Sequence, residues 1–227
     1  MPSKSVPEAH PVPFIPPTSI DALLPMLQEG LRELNITTSQ EQQQALLNYL
    51  ALLERWNKAY NLTAIRDPKA MLIQHVLDSA SILPYLPEGK ILDVGTGPGL
   101  PGLILAILSP QQAFTLLDSN GKKIRFLNQV AYQLGISNVT MVHSRVETYQ
   151  VDEGFAGILS RAYAALAGFA IQCAHLVAPS GRLLAMKGAY PEQELQQLPP
   201  DYHLAQVVAL QVPQLDAQRH LLIVAKQ

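Results

Sequence analysis

The chain has 227 residues and a net charge of −2, with 48% hydrophobic and 15% charged residues. Such a chain is globular with ample core, and its overall charge does not mark a polyanion binder. No apolar run approaches the roughly 18 residues of a membrane helix. The single cysteine, Cys173, excludes an internal disulfide framework and fits a reducing cytoplasm.

Residues 1–17 hold six prolines and no apolar stretch long enough for a signal peptide, so they read as an extended or disordered arm. Helical periodicity then dominates residues 18–88, expected to form a helical region packed on the core. Ser19 or Asp21 caps a helix to about Leu34, and Ser39 with Gln42 is a capping-box signature opening an amphipathic helix through Tyr60. Asp67-Pro68 starts a further helix to about Leu83, ended by Pro84 and Pro87.

From Lys90 onward short apolar runs alternate with helices. Strands are predicted at Ile91–Val94, Phe114–Leu117, Val139–His143, Gly157–Ser160, Leu183–Lys187, Ala205–Val212 and His220–Ala225. Helices are predicted between them at Leu100–Ser109, Gly121–Leu134, Arg145–Tyr149, Leu166–Val177 and Pro191–Leu198. Only Pro213 to Arg219 separates the last two strands, too little for a crossover helix, so they pair antiparallel. Residues 89–227 are therefore an α/β domain, a seven-stranded and mostly parallel sheet with an antiparallel last strand. That is the Rossmann-like layout of S-adenosyl-L-methionine (SAM)-dependent methyltransferases.

The most informative stretch runs from Asp93 to Gly102, a glycine turn between the first strand and a helix. It matches the dinucleotide pattern GxGxxG, with Asp118 near the expected acidic position. A pyrophosphate, however, needs backbone N–H donors, and Pro98 and Pro101 each remove one. Asp93 also sets a carboxylate beside Gly95, Gly97 and Gly99, where it repels a diphosphate and suits an ammonium or sulfonium. SAM fits better than a dinucleotide, with Asp118 accepting the ribose hydroxyls.

If SAM binds, the missing motifs narrow the methyl acceptor. Cys173 lies in an apolar helix and reads as core, not as a pyrimidine-attacking nucleophile. Ser160-Arg161-Ala162-Tyr163 stands where an adenine-N6 enzyme has its Asn/Asp-Pro-Pro-aromatic tetrad, and Pro199-Pro200-Asp201-Tyr202 reads as a turn. No general base stands out, which suits a ring nitrogen with a free lone pair. The histidines lack paired metal spacing, and no metal is expected. His75 and Asp78 share a helix face and are expected to meet, tying the helix to the sheet. Trp56 and Tyr60 read as packing between helices. Arg161, at the carboxyl edge of the fourth strand, is expected to grip a phosphate, a guanine edge or the cofactor carboxylate; the bland alternative is a salt bridge to Asp152 or Glu153. Between Ser119 and Gln150 the charges sum to +3, a basic rim beside the loop.

Several ordered motifs together resemble one family. They are Asn61–Asp67 with His75–Ser79, Asp93–Gly102, Leu117–Lys123, Ser144–Glu147, Ser160–Ala162 and Leu215–His220. The chain from about Ser39 to Lys226 resembles the bacterial 16S ribosomal RNA guanine-N7 methyltransferase G family, also called glucose-inhibited division protein B. The resemblance implies SAM-dependent methylation of N7 of one guanine in small-subunit ribosomal RNA, in a loop near the decoding centre. It implies that Gly95 and Leu100 line the cofactor and that Asp118 holds the ribose. Val146 and Glu147 then lie beside the adenine, with Arg161 at the methionine or substrate end. Phosphate contacts are expected from Lys122, Lys123, Arg125, Arg145 and Lys187, with Asn61 and Arg66 covering one side of the cleft. A cytoplasmic monomer acting on the small ribosomal subunit is the resulting expectation. A small-molecule methyltransferase and a non-catalytic SAM-binding assembly protein are the alternatives.

Overall fold

A computed structural model describes residues 18–226, so the proline-rich arm at 1–17 lies outside the described residues. The helical third comprises α1 (Thr18–Asp21), α2 (Leu24–Glu33), α3 (Gln40–Tyr60), α4 (Pro68–Met71) and α5 (Asp78–Ala80). The capping box that opens α3 is present: Ser39 accepts from the Gln42 backbone and Gln42 accepts from the Ser39 backbone. Asp67 caps α4 through a bond from Ala70 N to its carboxylate at 2.7 Å. The helix expected through Leu83 is interrupted. Residues Leu72–Leu77 form a π-helical turn between α4 and α5, and a 3₁₀ turn follows at Leu83–Tyr85. A π turn widens the helix and re-aims the side chains in and just after it, here His75 and Asp78.

The α/β part contains β1 (Ile91–Val94), α6 (Gly102–Leu108), β2 (Phe114–Asp118), α7 (Gly121–Leu134), β3 (Val139–His143), β4 (Phe155–Arg161), α8 (Leu166–Cys173), β5 (Val177–Lys187), α9 (Glu192–Gln196), β6 (Tyr202–Ala209) and β7 (His220–Lys226). Residues Val146–Thr148, expected as a helix, form a single 3₁₀ turn. The helix expected through Val177 stops at Cys173, because Val177 pairs with Phe155 and begins β5. Strand β6 lies three residues earlier than its hydrophobic pattern suggests, since Tyr202 pairs with Lys226 across an irregular register at Leu204/Gln206.

The seven strands run in the order β3-β2-β1-β4-β5-β7-β6. Strands β1 to β5 pair in parallel, and β7 inserts antiparallel between β5 and β6. The expected sheet, with its antiparallel last strand, is the observed one. Strand order reverses between β1 and β4, and open α/β sheets bind ligands in the crevice beyond the carboxyl ends at such a point.

The helical region is built into this sheet. Leu46, Leu50 and Leu53 of α3 belong to the same buried apolar cluster as Leu103 and Leu105 of α6 and Leu127 of α7. Gln42 Nε2 donates to the carbonyls of Ile107 and Leu108 at 2.9 and 3.1 Å, satisfying free acceptors at the end of α6. Among the described residues no helix is long and apolar enough to cross a membrane.

Candidate active site

The loop after β1 is held from three sides. Gly95, Gly97 and Gly99 all have positive φ. At Gly99 a side chain is also excluded by space, since an added Cβ would sit 2.8 Å from Leu103 and Leu127. Asp93 is fully buried, and its Oδ2 accepts from Gly102 N at 2.8 Å and from Thr96 Oγ1 at 2.6 Å. Tyr49, also buried, donates its hydroxyl to the Pro98 carbonyl at 3.0 Å and so links α3 to the loop.

This corrects the expectation for Asp93. Its carboxylate does not line the cleft but turns inward. The physical reason is that the Gly102 N–H at the start of α6 needs an acceptor in a buried position. Burial pushes this carboxyl up to about 6, against the hydrogen bonds from Thr96 and Gly102 that pull it down. Its Oδ1 is buried without a partner among the described residues. Leu100 is likewise packed in the core, so it offers main chain rather than side chain to a ligand.

Beyond the loop lies a cleft of about 420 Å³, within the usual range for small-ligand sites. Gly95, Asp118, Lys123, Val146, Glu147 and Tyr163 are among its lining residues. Asp118 Oδ1 accepts from Asn120 N at 2.8 Å, and its Oδ2 accepts from Gly97 N at 2.9 Å. Lys123 Nζ stands 3.5 Å from the same Oδ2. Lys123, expected to face RNA, is thus turned into the cleft by the Asp118 charge five positions before it. Arg145 also lines this cleft, whereas Lys122 and Arg125 are exposed on α7. Gly95 closes the floor: a Cβ there would lie 2.5 Å from the Tyr163 ring.

A second pocket of about 440 Å³ adjoins the first, and Ala162 lines both. Its wall includes His75, Asp78, Arg161, Lys187 and Arg219. Asp78 is buried and doubly paired, with Arg161 Nη1 at 3.1 Å on Oδ2 and Arg219 Nε at 3.0 Å on Oδ1. Arg161 also donates to the Gln74 carbonyl at 2.9 Å. The salt bridge considered for Arg161 with Asp152 or Glu153 is not formed, and Glu153 pairs with Lys90 instead. His75 does not meet Asp78; its Nε2 lies 2.9 Å from Thr63 Oγ1. Burial and the neighbouring Arg161 guanidinium push this imidazole down to about 4, so it is neutral at pH 7.

Lys187 donates to Glu194 at 2.7 Å and to the Ala164 carbonyl at 3.2 Å. It therefore clamps the loop after β4 rather than offering a free charge to a phosphate. Ala162 itself takes positive φ, uncommon for a residue with a Cβ, and it sits where the two pockets meet. Asn61 and Arg66 are exposed neighbours, with Arg66 Nη2 donating to Asn61 Oδ1 at 3.3 Å. Cys173 is core, its thiol pushed to about 12 by burial. Asp78, Ala162, Tyr163 and Arg219 have no site role in the sequence reading. Arg219 and Asp78 stand within the family motifs, but nothing in either motif says that they pair across 141 positions.

The residues present fit SAM. The cleft holds carboxylates at Asp118 and Glu147, which suit ribose hydroxyls and a cationic ligand, and Pro98 and Pro101 leave the loop without two of the backbone donors a diphosphate needs. Fold and cleft together define a Rossmann-like SAM-dependent methyltransferase. Two solved structures share the fold. A SAM-dependent methyltransferase from Aquifex aeolicus superposes with a TM-score of 0.54 at 16% identity, covering 73% of this chain and 97% of that one. A methyltransferase from Thiobacillus denitrificans in complex with S-adenosyl-L-homocysteine gives 0.52 at 13% identity, covering 80% and 98%.

Residues 42–222 match the family rRNA small subunit methyltransferase G (GidB), and the chain belongs to that family. A relative from Shewanella sp. (strain ANA-3), named ribosomal RNA small subunit methyltransferase G, is 48% identical over 201 residues, 88% of this chain and 98% of the relative. The family expectation drawn from the sequence motifs holds.

Proposed function

We propose that the protein transfers a methyl group from SAM to N7 of a guanine in 16S ribosomal RNA, acting as a cytoplasmic monomer on the small subunit. The observation that supports this most directly is the pair of adjoining pockets with Ala162 in their common wall, the first presenting Asp118 and Glu147 and the second the arginines Arg161 and Arg219. In this reading Asp118 holds the ribose, Val146 and Glu147 flank the adenine, and Gly95 and Gly97 let the ligand approach the backbone. SAM supplies an electrophilic methyl on a sulfonium. Helices 18–88 and the α/β part 89–227 then work as one body, since the wall of the second pocket draws on both.

The chain's own residues need do little chemistry on the acceptor. Of the groups in the second pocket, His75 is neutral and weakly basic, and both oxygens of Asp78 are already engaged by arginines. That set is poor at removing a proton from an amine or hydroxyl. It is adequate for a ring nitrogen whose lone pair is already free, where catalysis is positioning. Arg161 and Arg219, oriented by Asp78, would hold the flipped nucleotide, while Lys122, Arg125, Arg145, Asn61 and Arg66 meet the surrounding RNA backbone.

The test is methyl-donor labelling of small subunits from a strain lacking this enzyme, with mapping of the labelled nucleotide. One labelled guanine that becomes sensitive to N7-specific cleavage is expected. Methyl transfer to free small molecules alone, or SAM binding without S-adenosylhomocysteine release, would overturn the proposal.

A further inference from the structure

The helical spacing of Trp56 and Tyr60 predicts packing between helices, and Trp56 packs so: its ring lies 5.6 Å from Phe126 of α7. Tyr60 does not. It stacks on the outer face of Trp56 at 5.1 Å and 28°, and is 39% exposed. Three rings therefore run from the core to the surface, and the last one presents a free face. Trp56 and Tyr60 border a groove of about 370 Å³ between α3 and α7, with Arg55, Gln129 and Gln133 among its polar lining.

We propose that this groove is a stacking platform for an unpaired base of the substrate RNA, with Tyr60 as the outermost ring; the proposal rests on the functional reading above. Three observations favour a nucleic acid over a protein segment. The stretches Leu52–Tyr60 and Lys122–Gln133 carry four cations besides the cleft-facing Lys123 (Arg55, Lys58, Lys122, Arg125) against one carboxylate, Glu54. A phosphate backbone suits that balance, and an arginine beside a π-stack adds cation–π attraction. Gln133 Oε1 is buried beside the groove with no partner among the described residues, an acceptor that a base edge with an amino group would satisfy. Finally, the groove adjoins Asn61 at the end of α3, and Arg125 shares the α7 face of Gln129. The platform thus lies on a surface continuous with the proposed RNA contacts.

Trp56 is the sole tryptophan, so its fluorescence reports on the groove directly. The full-length protein is titrated with hexaadenylate at several salt concentrations, and methyl transfer to unmethylated small subunits is measured in parallel. Hexaadenylate is expected to quench Trp56, less so as salt rises. Tyr60→Ala should weaken this binding and raise KM for subunits roughly five- to a hundredfold, with kcat and SAM affinity unchanged. Tyr60→Phe should behave as wild type, because the ring and not the hydroxyl does the stacking. Unaltered KM and quenching in Tyr60→Ala, with active wild-type enzyme, would overturn the proposal. So would quenching by purified small-subunit proteins but not by RNA. A wild-type protein that methylates no subunit would overturn the functional reading instead, while the hexaadenylate titration would still decide the groove.

Discussion

Replacing Asp93 by asparagine should make the free protein more stable near neutral pH. The carboxylate is fully buried, and burial holds it at about 6, against 3.8 for an ordinary aspartate. Between those values the folded state retains a proton that the unfolded chain has released. Stability from this group therefore falls as pH rises from about 4 to 6, and the whole cost is present above that. Two pH units at about 1.36 kcal/mol each give about 3 kcal/mol. Asparagine keeps an oxygen for Gly102 N and Thr96 Oγ1 and never ionises. Urea unfolding of both proteins at pH 4 and pH 7.5 should show the variant gaining about 3 kcal/mol relative to wild type between the two values. A stability difference independent of pH would refute the argument, because it would mean that Asp93 is not held as a strained, buried charge.

Four further outcomes rest on the same geometry. Asp78→Ala leaves two arginines without their shared partner and should cost about 3 kcal/mol in unfolding experiments, with a larger loss of kcat/KM than of SAM affinity. Gly95→Ala should abolish SAM binding by driving a Cβ into Tyr163, and Tyr163→Ala in the same chain should restore part of it, as a double-mutant cycle in calorimetry would reveal. Lys122→Ala and Lys123→Ala should separate: the first weakens RNA binding only, while the second changes SAM affinity because Lys123 pairs with Asp118. Tyr49→Phe should loosen the Pro98 turn and cost about 1 kcal/mol, read as a lower melting temperature that saturating SAM partly restores.

The strands β1 and β3, the helices α3 and α7, and the antiparallel pairing of the last two strands are legible in the sequence because each rests on local signals. These are a capping box, a glycine C-cap at Gly135, and apolar runs of strand length. The segments that differ from expectation depend on distant partners. Strand β5 begins at Val177 because Phe155 is there to pair with it. The helix after Pro68 takes a π turn, and Asp78 just after it pairs with Arg161 at the end of β4 and Arg219 just before β7. At the site, the glycine loop announces a cationic ligand, but the direction of each charge does not follow from it. Asp93 turns inward to a helix N–H, and Lys123 and Lys187 turn to carboxylates.

By itself the amino-acid order determined the class of fold, the loop after the first strand and the family, since backbone conformation and motif identity are written in neighbouring residues. Tertiary structure decided which charges are free. A charged side chain pairs with whatever opposite charge or unsatisfied backbone group folding brings within about 3 Å, and in this protein those partners lie as far as 141 residues away.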